Sequence, residues 1–309
     1  MTSKYVERMI SDGLDIDNII PLWAERHKVL VEKLRNQKQM LCVPSGIRAL
    51  DDLIGGFEGG RLYVLSAPTK NGKTTLAQTL LFNQSLGGIG GLFFSYEMGW
   101  QEVTKKYMAM DKFLNKVDST DLPLYMPIDL HREGGDLQLL WIMETIAKCK
   151  EDYPLLGFVV IDHLHFLLPL RDYRNVSFII GGIVRQLKRL SVIMDIPIML
   201  IAHTGKIRDD TVPSFRDIRD SSFITQEADV VMMMWRLKQK NSTKKVDDES
   251  VEDVYTNKAI LSVELDRIKG NSGKIKLWHN GVMFEEYNPI IHGILETKIG
   301  GVCTNYPTT

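Results

Sequence analysis

From residue 46 onward the chain alternates short apolar runs with amphipathic stretches. Five runs read as strands: Arg61 to Ser66 (RLYVLS), Gly91 to Tyr96 (GLFFSY), Gly157 to Ile161 (GFVVI), Ile198 to Ala202 and Val230 to Trp235 (VVMMMW). None alternates apolar with polar positions, which predicts a parallel sheet buried on both faces. The stretches between them predict helices over Lys73 to Ser85, Gln101 to Leu114, Leu137 to Lys150 and Ile179 to Met194. The longest apolar candidate, Ile193 to Ala202, is interrupted by Asp195 and Pro197 and reads as a buried strand. In the final third, Ala259 to Asp266, Lys274 to His279 and Val282 to Tyr287 read as antiparallel strands joined by Gly-containing turns. Residues 237–257 (LKQKNSTKKVDDESVEDVYTN) show no apolar face and read as a charged surface loop. Near the start, Ile20, Trp23, Val29, Leu30 and Leu34 mark one face of a helix over about residues 18–37.

The expected fold class is α/β, with a mostly parallel sheet covered by helices on both faces, antiparallel strands at its C-terminal end and a short N-terminal helical arm. The expected organisation is an arm over residues 1–42, a core domain over 43–290 and a tail over 291–309. With 309 residues, 44% of them hydrophobic, one large core plus a small appendage is sustainable. The 38 basic and 39 acidic residues give a formal net charge of -1, which excludes a globally basic nucleic-acid coat but leaves room for a local basic groove. Cys42, Cys149 and Cys303 lie far apart, so neither a disulfide framework nor a zinc site is expected, and a reducing cytoplasmic setting fits. The first residues lack the apolar stretch of a signal peptide, and no run approaches the ~20 residues of a membrane span, so no membrane partner is expected.

Candidate chemistry begins where the first strand meets a helix. Ser66, Ala67, Pro68, Thr69, Lys70, Asn71, Gly72, Lys73, Thr74 and Thr75 form a phosphate-binding loop in the required strand–loop–helix context. Successive backbone N–H groups and the helix N-terminus make an anion site. Gly72 permits close approach to phosphate oxygens, Lys73 reaches the β- and γ-phosphates of ATP, and the Thr74 hydroxyl ligates Mg²⁺. Ala67 stands where the usual pattern has its first Gly, a tolerable change if that backbone avoids positive φ.

Three polar residues each terminate an apolar strand. Asp162 ends GFVVID and is assigned to Mg²⁺ through water; the plainer reading is a helix N-cap. Glu97 ends GLFFSYE and is assigned to polarising the attacking water, against a merely solvated carboxylate. His203 ends IPIMLIAH and is assigned to sensing the γ-phosphate, against a satisfied core histidine.

The segment PSGIRALDDLIGGFEGGRLYVLSAPTKNGKTT resembles the start of the RecA-like domain of DnaB-type replicative helicases. FFSYEM is similar to their catalytic-glutamate motif, VVIDHLHFL to their Walker B strand (as in Twinkle and the phage primase-helicases) and IAHTGK to their sensor-histidine motif. DIRDSSFITQEADVVMMMWR resembles the DNA-loop motif and the strand after it, so the resemblance covers about residues 43–287. It implies a hexameric ring with ATP between subunits and single-stranded DNA through the centre. It also implies an arginine finger supplied by the neighbouring subunit, and RIKGNSG makes Arg267 the candidate. Leu265 stands where many relatives carry a lysine, which leaves Lys269 as the alternative second cation. One pore loop falls around Arg171 to Asn175. A second runs from Thr204 to Ser222, with Lys206, Arg208, Arg216 and Arg219 as candidate DNA contacts. Gln226 matches a motif position that links this loop to the nucleotide.

The arm over residues 18–37 takes the place of the family's linker helix, which docks on the next subunit. The resemblance implies a primase or helicase loader as further partner, in the cytoplasm of a bacterial or phage-infected cell. About 42 residues precede the core, so the sequence reads as a helicase motor without the family's N-terminal domain. The expected function is an ATP-dependent helicase motor; the alternatives are a RecA/RadA-like recombinase or KaiC-like regulator, and a non-catalytic module with ATP as a structural ligand.

Overall fold

A computed structural model of the chain describes residue 28 and residues 42–114, 121–127, 135–168, 176–205, 211–219, 221–240 and 253–293. The arm over 18–37, the loop around Arg171 to Asn175, Lys206, Arg208, Cys303 and the tail lie outside this range, save for the isolated position 28 and residues 291–293.

The chain runs β1 (Cys42–Val43), α1 (Arg48–Ile54), β2 (Phe57–Glu58), β3 (Leu62–Ala67), α2 (Lys73–Leu86), β4 (Gly90–Ser95), α3 (Trp100–Leu114), β5 (Leu124–Tyr125), α4 (Gly135–Asp152) and β6 (Leu156–Asp162). It continues with α5 (Val176–Met194), β7 (Ile198–His203), α6 (Ser221–Glu227), β8 (Val230–Lys240), β9 (Asp253–Asp266), β10 (Gly273–His279) and β11 (Phe284–Glu286). A nine-stranded sheet has the order β11-β10-β9-β8-β3-β7-β6-β4-β5. The six strands from β8 to β5 pair in parallel, and β8, β9, β10 and β11 pair antiparallel. This is the expected fold class.

Two apolar layers explain the unalternating strands. From β3, Tyr63, Leu65 and Ala67 pack into one layer with α1, α2 and α3, while Leu62 and Val64 pack into the other with α4 and α5. All five side chains are fully buried. At roughly 1.5–3 kcal/mol for each large one, a polar substitution on either face of β3 would be costly. Buried Asp229 anchors the start of β8: its Oδ2 accepts from the Leu62 N–H and from Lys188 Nζ, both at 2.7 Å.

The charged stretch 237–257 is corrected in part. Residues up to Lys240 and from Asp253 form the outer stem of the β8–β9 hairpin, with Lys238 opposite Tyr255 and Lys240 opposite Asp253. Ladder hydrogen bonds between backbones need no apolar face, so the hydropathy pattern could not report the extension. Aromatic–cation contacts support it, with Arg236 and Lys238 at 5.6 and 5.8 Å from the Tyr255 ring. The run from Ile193 is also shorter as a strand than expected. Helix α5 extends to Met194, Asp195 turns the chain with φ +46, and β7 starts at Ile198.

Candidate nucleotide site

β3 delivers the phosphate loop. Ala67 ends the strand fully buried, and the positive-φ residues of the loop are Lys70 and Gly72, so the first motif position has no need of glycine. Gly72 does need to be glycine: its φ is +90, and a Cβ there would lie 2.9 Å from the Phe284 ring. No side chain caps α2, which leaves its first N–H groups facing the loop for an anion. Lys73 opens the helix, only 7% exposed. Asn71 also contributes through its side chain. Its side chain is turned into the fold, accepting the Arg236 N–H at 2.7 Å and donating to Thr69 O and the Tyr255 hydroxyl. It therefore braces the loop against the β8–β9 stem. Pro68 closes the turn by accepting the Asn71 N–H, Thr69 and Lys70 are exposed, and Thr75 accepts the Thr79 hydroxyl.

Parallel pairing of β3, β7, β6 and β4 sets their C-terminal ends along one edge, where the strand-terminal residues meet. The Thr74 hydroxyl donates to Asp162 Oδ2 at 2.7 Å. Asp162 is fully buried, and among the described residues its Oδ1 has no hydrogen-bond partner. Burial raises its pKa to about 6, helped by Glu97 and opposed by the Thr74 hydrogen bond, Lys73 and Lys106. A hydroxyl and a buried carboxylate with a spare oxygen are the hard oxygen set that Mg²⁺ takes beside nucleotide phosphates, so these residues fit the ion.

Glu97, two residues beyond β4, is held by two imidazoles. Its Oε1 lies 3.2 Å from His163 Nε2 and 3.3 Å from His203 Nε2. His163 Nδ1 accepts the His165 N–H, which leaves the ring proton on Nε2, facing the carboxylate. Burial lowers the His163 pKa to about 3, reinforced by His203, His165 and Lys73; it also lowers that of His203, with Lys73 and Arg219 acting in the same direction and Glu97 against them. Both rings are neutral donors at neutral pH. Glu97 is thus oriented while its second oxygen stays available to a water.

The family model for the DnaB-like helicase C-terminal domain matches residues 42–124 and 125–286. The chain belongs to this family. Replicative DNA helicase DnaB of Treponema pallidum is 28% identical over 253 residues, covering 74% of this chain and 55% of that protein. DnaB of Leifsonia xyli is 24% identical over 252 residues, covering 72% and 53%. The chain spans about half the length of these relatives. Among solved structures, a DnaB-like replicative helicase described with its primase interactions superposes with a TM-score of 0.64 at 19% identity, covering 85% of this chain and 66% of that one. The RadB recombinase gives 0.55 at 16% identity, covering 80% and 100%.

The remaining DnaB-like motif residues lie on the loop after β7, on α6 and just beyond β9. Arg219 is exposed, and its N–H donates to His203 O at 3.1 Å; Gly205 N–H donates to Asp217 O, closing the base of the loop after β7. Arg216 is exposed, 5.8 Å from the Phe215 ring. Gln226 is exposed at the end of α6, and Arg267 donates to the neighbouring Thr225 O. Lys269 does not join Arg267, because its Nζ donates to Ile54 O at 2.7 Å and faces Glu58. Two members of the site escaped the sequence reading. His163 directly follows Asp162, and its place on a strand adjacent to β4 was the available signal. Lys106, on α3, acts on the charge of Asp162, and no strand-end rule points to it.

Proposed function

We propose that this chain is an ATP-dependent DNA helicase motor that hydrolyses ATP at subunit interfaces to translocate on single-stranded DNA and separate duplex. The carrying observation is that a phosphate loop, a Thr74–Asp162 cation pair and an oriented Glu97 share one sheet edge, and that His203 ties this edge to Arg219 by its own carbonyl. Mg²⁺-bound ATP supplies the free energy of phosphoryl transfer to water. Lys73 and the α2 N-terminus hold the phosphates, and Thr74 and Asp162 hold the cation. Glu97 accepts a hydrogen bond from the attacking water, with His163 and His203 fixing its direction. His203 senses the γ-phosphate, and its link to Arg219 carries that state to the loop where Lys206, Arg208, Arg216 and Arg219 meet the DNA backbone.

The register supports a shared site. Val230 pairs with Tyr63 of β3 and with Asp266 of β9. Arg267 therefore sits level with the start of β3, at least ~13 Å along the strand from the phosphate loop at its end. It cannot serve its own Lys73, and as a finger it acts on a neighbour, in a homo-oligomeric ring of six. A primase or loader is a further partner in this reading, and a bacterial or phage-infected cytoplasm its setting.

The test is unwinding of a forked duplex by the wild-type chain and by Lys73→Ala. ATP-dependent strand separation by the wild type alone is expected. ATP-dependent filaments with strand exchange and no unwinding would replace the helicase reading with the recombinase one.

A further inference from the structure

We propose that Glu97 Oε1, His163 Nε2 and His203 Nε2 form a binding site for a transition-metal ion, with Zn²⁺ the best fit, and that its occupation holds the motor inactive. The metal site stands on its own geometry; the inactivation rests on the proposed ATPase function.

Tetrahedral zinc takes nitrogen at about 2.0–2.1 Å and carboxylate oxygen at about 2.0–2.2 Å, which sets neighbouring ligand atoms about 3.3 Å apart. Two of the three edges here already have that length, at 3.2 Å for Glu97–His163 and 3.3 Å for Glu97–His203. All three atoms lie within 4.8 Å of one another, so the remaining edge closes by a small rotation of one ring. The imidazole rings stand nearly perpendicular, 86° apart with centroids at 4.1 Å, so both can aim at one point without stacking. The ligands come from the ends of β4, β6 and β7, neighbours in one sheet, so the cluster is set by the fold. It opens on one side: the Glu97 and His203 side chains are 34% and 26% exposed, that of His163 7%. A hydrated ion can approach from there, with a water in the fourth position as in other three-ligand zinc sites.

The donor set separates this site from the Mg²⁺ site beside it. Two imidazoles and a carboxylate suit Zn²⁺, Ni²⁺ or Cu²⁺, whereas Mg²⁺ prefers the all-oxygen pair of Thr74 and Asp162. Two adjustments accompany loading. The ring protons of His163 and His203 both pass from Nε2 to Nδ1, and the 3.3 Å hydrogen bond from the His165 N–H to His163 Nδ1 is given up. No proton enters or leaves; both tautomers change. Without that supporting contact the affinity falls about 10–100-fold below a zinc site with a matched outer shell. A metal-bound Glu97 no longer orients the attacking water, so the captured enzyme keeps its nucleotide and stops.

The experiment uses the full chain freed of metal by chelation, with Co²⁺ as the optical probe. One equivalent should give the visible absorption of four-coordinate Co²⁺, displaced by one equivalent of Zn²⁺ and unaffected by excess Mg²⁺. His163→Asn and His203→Asn should each weaken binding at least tenfold, with circular dichroism confirming the fold. If buried His163 proves essential for folding, the more exposed His203 carries the comparison. Lys73→Ala should keep the band. Absence of the band, or a sulfur-to-cobalt band surviving both histidine substitutions, overturns the site and leaves the ATPase reading untouched. Stoichiometric Zn²⁺ should stop phosphate release and a chelator should restore it. Binding with undiminished turnover overturns the inactivation. A chain that binds metal but never hydrolyses ATP overturns the functional reading and not the site.

Discussion

The backbone N–H of Arg219 donates to the carbonyl oxygen of His203 at 3.1 Å. One hydrogen bond therefore joins the residue at the nucleotide edge to Arg219, a cation of the loop that follows. The isolated bridge between Thr204 and Ile218 sits beside it, so the loop base is a short ladder tied to the end of β7. If Arg219 meets a DNA phosphate, Arg219→Ala should flatten the dependence of log affinity on log salt by about 0.7 for single strands. Fluorescence anisotropy across a salt series measures this, and an unchanged slope would remove Arg219 from the DNA contacts.

Glu97→Gln should bind ATP and turn it over ~10²–10⁴-fold more slowly, the usual contribution of a positioned acid–base group. His163→Ala removes one of the two donors on Glu97. A hydrogen bond to a charged group is worth about 1.5–3 kcal/mol, so a fall in kcat of about tenfold or more is expected at unchanged KM. Steady-state phosphate release gives both numbers. Parental turnover by Glu97→Gln would move the base elsewhere.

If the site is shared as proposed, Lys73→Ala should disable the site of its own subunit and Arg267→Ala that of a neighbour. Mixtures of the two inactive variants should regain part of the activity, because some interfaces then pair an intact Lys73 with an intact Arg267. Phosphate release from a series of mixing ratios reports this, and a strictly flat response would argue that each subunit hydrolyses alone.

Asp229→Ala should destabilise the fold by about 3 kcal/mol, because it leaves the buried Leu62 N–H and the partly buried Lys188 ammonium without their shared acceptor. Urea unfolding followed by circular dichroism gives the value, and Asp229→Asn should recover part of it by keeping one acceptor oxygen.

The sheet was legible because β3, β4, β6 and β7 are apolar at nearly every position, and that pattern arises only when both faces are covered. The phosphate loop was legible because its function is carried by consecutive residues. Asp162, Glu97 and His203 were legible as strand ends, since parallel strands must end together. His163 was not, because its importance comes from β6 lying next to β4, a fact of strand order that hydropathy does not contain. The bracing role of the Asn71 side chain was not legible for a related reason. Its partners, Arg236 and Tyr255, lie far along the chain on a hairpin stem whose charged residues concealed its pairing. Residues 18–37, Lys206 and Arg208 lie outside the described residues, so the docking arm and half of the DNA loop stay as sequence-based expectations.

The antiparallel turn from β8 into β9 carries a final consequence. It sends Arg267 to one end of the strands while Lys73 waits at the other, so each copy presents two unlike faces. If Arg267 is a finger for a neighbour's phosphates, a contact that joins these two unlike ends is heterologous, head to tail, and gives the assembly a direction. A copy lacking only its finger would then still accept one from the next copy, so such a subunit would silence one side of itself and spare the other.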